Sequence, residues 1–319
     1  MENTELRPLG AGEILDRAVT LFVRQFVPIV IVLAIVLVPV IALQAFAQPH
    51  SGRVFSDMAQ VFRASGSGDP VAAREAERLL TLDSGNTPMI LLIGLAASVL
   101  QLLMLSALIA VVVAAYNGSR LSVAEAYQTG LRCWFPQIVV ALVFIVIAII
   151  AMIPPFILYL LTVFVAAALA ALHLTVPAII AGIALGLIDL LAFTAAGSWV
   201  YMTYEVASVT VVTETRNAVT AIGIAMRRGL ARPMLLRMTI GGLIILAITY
   251  AGLIPVYGIA ATVSTLTHVD LLYFAISGAG TVLLEGLVTV FVVVYATDVR
   301  VRREGYDLAL AAEPALPVA

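Results

Sequence analysis

Long apolar runs, separated by short polar stretches, dominate this chain. Phe26 to Ala47, Met89 to Tyr116 and Met238 to Ala261 contain no charged residue, and Leu271 to Thr297 contains one, Glu285. Pro136 to Glu205 is nearly as apolar, with only His173 and Asp189 ionisable before Glu205. A helix rises 1.5 Å per residue, so about 20 such residues cross a ~30 Å hydrocarbon core. The pattern predicts an all-α polytopic transmembrane helical bundle of about six spans, near 26–47, 89–116, 136–160, 178–206, 238–261 and 271–297. Residues 1–25 are expected as a cytoplasmic amphipathic segment, 48–87 as an outer loop and 298–319 as a cytoplasmic tail.

The stretch from 136 to 206 holds two or three spans by length alone. Pro154-Pro155 is expected to break a helix, because each ring removes a donor and clashes with the preceding turn. A second break is expected at Leu172 to Pro177. Arginine placement decides the count. Arginines in short loops mark the cytoplasmic side. Two spans put thirteen of the 17 arginines on that side, with both termini. Three spans would carry Arg216, Arg227, Arg228, Arg232 and Arg237 outside. Six spans are therefore expected, with Phe156 to Leu172 as a kinked continuation of span 3 or a re-entrant segment. In the 48–87 loop, Asp69-Pro70 and Val71 to Leu80 read as a short capped helix after a Ser65–Gly68 linker. Ala45-Phe46-Ala47 resembles a signal-peptidase site, but the apolar run before it is longer than a signal peptide's. An uncleaved first span is expected.

Three polar segments lead into spans in a similar way. Glu13, Arg17, Thr20 and Arg24 lie on one helical face, and Ile14, Ala18, Leu21 and Phe22 on the other. Ser122 and Glu125 fit a capping box, and Asn217 suits a helix N-cap. Gly10-x-x-Glu13, Ser122-x-x-Glu125 and Asn217-x-x-Thr220 align loosely. They are either a threefold internal repeat or ordinary amphipathic linkers. Such lead-in helices can rest in the headgroup layer with arginines among the phosphates.

Composition sharpens the class. Hydrophobic residues are 62% and charged residues 11% of the 319. Soluble domains run nearer ~45–50% and ~25%, so a water-soluble globule is excluded. A net charge of −2 argues against a nucleic-acid partner. All 17 basic residues are arginine, which reads as codon bias. The single cysteine, Cys133, excludes an intrachain disulfide and is expected to be buried and inert. His50, His173 and His268 have no partner at metal-ligand spacing, and His173 and His268 fall in expected turns. Gly182-x-x-x-Gly186 is a helix-packing signal. Trp134, Trp199, Tyr116, Tyr201, Tyr204 and Tyr295 near span ends suggest an aromatic belt. No cofactor, metal or catalytic constellation is expected, so the chain is read as no enzyme.

Two candidate sites remain. Asp189 and Glu285 fall near mid-span, where an ionised carboxylate is costly and is a functional candidate by default. They are either neutral packing partners or a proton or cation site of a transporter or channel. Glu205 is expected to be structural, meeting an arginine such as Arg237. The second candidate is a cytoplasmic surface for a partner or lipid headgroups, formed by Arg17, Arg227, Arg228, Arg300, Arg302 and Arg303. The expected partners are the lipid bilayer and a membrane protein or second copy of the chain.

The segment from Leu6-Arg7-Pro8-Leu9-Gly10 to Asp16-Arg17, the Ala218 to Leu230 helix with Arg227-Arg228, and the ending from Asp298 through Arg300, Arg302-Arg303-Glu304 to Leu308 together resemble a bacterial family. It is the glycerophosphoryl diester phosphodiesterase membrane-domain type. The resemblance covers under a fifth of the chain. It implies a six-span protein of a bacterial plasma membrane, of actinobacterial type, with no catalytic domain and no assigned activity. The leading reading of the residues themselves is a non-enzymatic subunit or scaffold whose cytoplasmic helices bind a partner or lipid headgroups.

Overall fold

The computed structural model describes residues 8–47 and 87–305. The expected outer-loop features between 48 and 86, and the tail beyond 305, lie outside these residues. Among the described residues eight helices follow in order: α1 Ala11–Arg24, α2 Phe26–Ala47, α3 Thr87–Tyr116, α4 Val123–Ala171, α5 Thr175–Thr213, α6 Ala218–Leu230, α7 Arg232–Thr267 and α8 Asp270–Glu304. Six of them, α2, α3, α4, α5, α7 and α8, are long and apolar enough to cross a membrane. Large apolar side chains also lie exposed along them, such as Ile149, Phe156 and Phe164 on α4 and Ile179, Ile183 and Leu191 on α5. Water would not tolerate such a surface, whereas lipid tails suit it. The chain is an all-α, multi-pass membrane protein.

The expected break at Pro154-Pro155 does not occur. α4 runs unbroken for 49 residues, through Pro136, Pro154 and Pro155. A proline inside a helix costs about 3 kcal/mol or more. Unwinding the segment would expose several backbone groups to hydrocarbon at several kcal/mol each. Continuing the helix is the smaller cost. The region therefore holds two helices, and Phe156 to Ala171 continues the first. The chain reverses where the second break was expected, at a turn in which His173 has φ 58°. His268, in the turn between α7 and α8, has φ 56°. The second lead-in segment also differs from expectation. It is no separate helix but the first turns of α4.

The predicted helix starts hold in atomic detail. The Ser122 hydroxyl and amide both donate to Glu125 Oε2, at 2.6 and 2.9 Å, and the Glu125 amide donates to Ser122 Oγ at 3.3 Å. Asn217 Oδ1 accepts from the amides of Val219 and Thr220. The Gly10 amide donates to Glu13 Oε2 at 2.8 Å. Each device satisfies orphan N–H groups of a helix's first turn. At the other end of α3, Ser119 N donates to Ala114 O and Gly118 N to Ala115 O, with Gly118 at φ 77°. This is the two-bond left-handed helix stop that glycine allows without a Cβ clash.

The helices form two compact units. Among the described residues the first comprises 8–18, 133–247 and 291–305, and the second comprises 19–132 and 248–290. In the second, α2 packs on α3. Residues 104–112 of α3 are buried all round, which marks a central helix. The Tyr127 hydroxyl ties α4 to α2 by donating to Val32 O at 2.7 Å. In the first unit, residues 291–296 of α8 are buried in succession. α5 and α7 approach closely there, since a Cβ at Gly242 would collide with the Ser198 carbonyl. Cys133 is buried, its thiol 3.9 Å from Val211 O.

Candidate functional site

The first unit gathers four stretches: the residues before α1, the α5–α6 region, the start of α7 and the end of α8. They form two polar clusters.

The first cluster centres on Arg228 of α6. The sequence seats it there because α6, capped by Asn217, buries Ala218, Ala221, Ala225 and Arg228 along one stripe. Arg228 is 4% exposed. Nη1 and Nη2 form a fork onto Glu214 at 2.8 Å each. Nε and Nη2 donate to Glu304 Oε1 at 2.9 and 2.6 Å, and Nη1 also donates to Thr210 Oγ1. These bonds match the guanidinium's five donors. Burial opposes the charge, but the hydrogen bonds and charges of Glu214 and Glu304 outweigh it and hold the pKa above the ordinary arginine value. Arg300 lies 3.4 Å from Glu214. Two arginines face two glutamates, so this cluster is neutral. Arg228 therefore belongs inside the protein and corrects the expectation of an exposed surface there: its charge is already spent. Arg300 is engaged in the same network.

The second cluster centres on Asp298 of α8, which is 2% exposed. The expected tail does not begin at 298. α8 continues to Glu304. Asp298 Oδ1 accepts from the Leu9 amide at 2.7 Å. Arg302, one turn along, donates from Nε to Asp298 Oδ2 at 2.9 Å. Arg237 of α7 lies 3.5 Å from the same oxygen. Both arginines also donate to the Leu9 carbonyl, Arg302 at 2.6 Å and Arg237 at 3.1 Å. Leu9 is thus gripped by both backbone groups, while its side chain is buried. Arg237, expected as a partner of Glu205, lies 3.5 Å from Asp298 Oδ2. Glu205 is buried on α5.

The two clusters differ in balance. Around Asp298, Arg237 and Arg302 already exceed one carboxylate by one charge. Arg303, exposed beside them, has no ion-pair partner among the described residues and adds another. A cavity of about 560 Å³ opens there, lined by Pro8, Pro233, Met234, Arg237, Arg302 and Arg303. Arginine's planar fork suits phosphate oxygens, so this cavity can take an anion.

The other expected residues fall elsewhere. Arg227 is exposed, and its Nε donates to Gly223 O at 3.2 Å. Arg17 is half-buried on α1. Asp189, in the first unit, is buried, and neither carboxylate oxygen has a hydrogen-bond partner among the described residues. Glu285, in the second unit, is exposed on α8. Among the described residues no group of three or more His, Cys, Asp or Glu side chains is placed to hold a metal. Tyr295 was expected in an aromatic belt, but it is 4% exposed inside the first unit, and its hydroxyl has no partner among the described residues.

Sequence reasoning missed Arg237, Glu214 and Tyr295 as site residues. It took Asp298 for part of an open tail. The i,i+4 spacing of Asp298 and Arg302 was a visible signal of a helical pair. The Leu9 contact, across 289 residues, left no local trace. No family model, curated protein or solved structure matches the chain.

Proposed function

We propose that the chain is a non-enzymatic scaffold or subunit of a bacterial plasma membrane that holds phosphate-bearing headgroups in its arginine pocket. The observation that carries this reading is the charge excess of Arg237, Arg302 and Arg303 over Asp298 in an open cavity. Anionic lipid attracts each basic group near its surface by about 1 kcal/mol. The resemblance to the phosphodiesterase membrane-domain type supports the same reading, since two of its segments supply Leu9 and the stretch Asp298 to Glu304 around the pocket. A membrane-protein partner or a second copy would dock on the exposed Arg227 and Arg303.

Lipids carried through purification test the reading. Anionic species are expected to be enriched over their share of the host membrane. Arg303→Gln is expected to lower that enrichment about tenfold, the scale of one lost charge-assisted hydrogen bond. Equal retention of neutral and anionic lipid by both proteins counts against it.

Both termini and the α5–α7 connection are placed in the cytoplasm by this reading, on the arginine distribution. Single-cysteine labelling that finds 212–237 accessible from outside reverses it.

Asp189 supports a second reading. A buried carboxylate without a partner is expensive when ionised and is a candidate proton or cation site in a transporter or channel. Reconstituted protein would then show a cation or proton flux that is lost when Asp189→Asn and Glu285→Gln are combined. A flux that survives both changes excludes these two residues from it.

A further inference from the structure

Behind the arginine pocket lies a second cavity in the same unit. Its volume is about 260 Å³, and its walls include Ile14, Ile240, Ile244, Phe291 and Tyr295. Arg237 lines both cavities. Their order along the helices is informative. On α7, Ile240 and Ile244 follow Arg237 by three and seven residues, about 4.5 and 10.5 Å further along the axis. On α8, Tyr295 and Phe291 precede Arg302 by about 10.5 and 16.5 Å. Both helices therefore run from arginines, past a tyrosine hydroxyl, to bare hydrocarbon. Phe291 and Ile14 are each 1% exposed, so the deep wall is a formed interior surface.

Tyr295 is the independent observation. Its hydroxyl is buried and has no partner among the described residues. Buried tyrosine hydroxyls ordinarily find one. This hydroxyl lies at the apolar cavity, about two turns of α8 before Arg302.

From this order we infer that the paired cavities form one binding site for a diacyl glycerophospholipid with an anionic headgroup. Its phosphate lies against Arg237, Arg302 and Arg303. Its ester carbonyl accepts from the Tyr295 hydroxyl. Part of one acyl chain fills the space between Ile244 and Phe291. The inference rests on the headgroup reading above and adds the chain and ester to it. A free phosphate would satisfy the arginines but would leave Tyr295 unpaired and the apolar cavity empty. A neutral diacylglycerol would do the reverse.

Native mass spectrometry of the delipidated full-length protein separates these ligands. The probes are a diacyl phosphatidylglycerol, glycerol phosphate and a diacylglycerol. One phosphatidylglycerol is expected to bind, about tenfold or more tighter than either fragment, since each fragment forgoes one half of the site. Ile244→Trp, which fills the apolar cavity, is expected to weaken the diacyl lipid about tenfold and leave glycerol phosphate unchanged. Tyr295→Phe is expected to weaken the lipid about threefold while conserving the ring. An unchanged helical circular dichroism spectrum certifies each variant as folded. Equal binding of glycerol phosphate and phosphatidylglycerol, with no effect of Ile244→Trp, overturns the inference but leaves the headgroup reading standing. Binding of diacylglycerol as tight as phosphatidylglycerol, unaffected by Arg303→Gln, overturns both.

Discussion

Arg228→Met is expected to lower the stability of the protein by about 3–5 kcal/mol, the scale for removing one partner of a buried ion pair. Methionine keeps an unbranched apolar stem but lacks the guanidinium, so the main loss is the head group's charge and hydrogen bonds. Five hydrogen bonds disappear. Glu214 and Glu304 lose the cation between them, and Glu214 is only 15% exposed. Glu304 is 43% exposed and can turn partly to water, so Glu214 bears most of the penalty. Adding Glu214→Gln to Arg228→Met should recover part of the loss, because it removes the stranded charge. Arg228→Lys should fall between, since one ammonium cannot reproduce the fork. Equilibrium unfolding in mixed micelles measures all three. A loss below about 1 kcal/mol would mean that the cluster behaves as a solvated surface pair.

The sequence made the membrane architecture legible because hydrophobicity is a sum over many residues. Six spans follow from runs of twenty or more apolar positions, and no single residue can overturn them. Caps were legible for a different reason. Ser122 with Glu125, and Asn217, act on backbone two or three residues away, so their partners lie in the same window of sequence. Proline was misleading because its local cost was weighed without the solvent. In water Pro154-Pro155 favours a break, whereas in hydrocarbon the freed backbone has nowhere to bond. The site was legible only as residue types. Arginines at 227, 228, 300, 302 and 303 all look alike in sequence. Which are spent and which remain available depends on Glu214, Asp298 and the Leu9 carbonyl, and those pairings are set by helix packing. Tyr295 illustrates the same limit. A tyrosine near a span end looks like an interfacial anchor until packing places it inside.

Asp298→Ala is expected to be as damaging as Arg228→Met, about 3–5 kcal/mol, and to act differently. The carboxylate holds two arginines and the Leu9 amide at once. Its removal leaves Arg237 and Arg302 repelling each other across the Leu9 carbonyl and leaves a buried amide without an acceptor, a penalty of about 1–3 kcal/mol by itself. Asp298→Asn separates these contributions. The amide oxygen can still accept from Leu9, so only the ionic part is lost, and the destabilisation should be clearly smaller than for alanine. The local consequence should also be measurable. Residues 8–10 are attached to the first unit chiefly through Leu9, by its buried side chain and by its grip on Asp298, Arg237 and Arg302. Hydrogen exchange at the Leu9 amide should therefore accelerate far more in Asp298→Ala than in Asp298→Asn. Equal exchange in the two variants would show that the arginines' bonds to the Leu9 carbonyl hold the segment without the carboxylate. In that case Asp298 serves mainly to limit the charge of the pocket, and Asp298→Asn should bind anionic lipid more tightly than the parent.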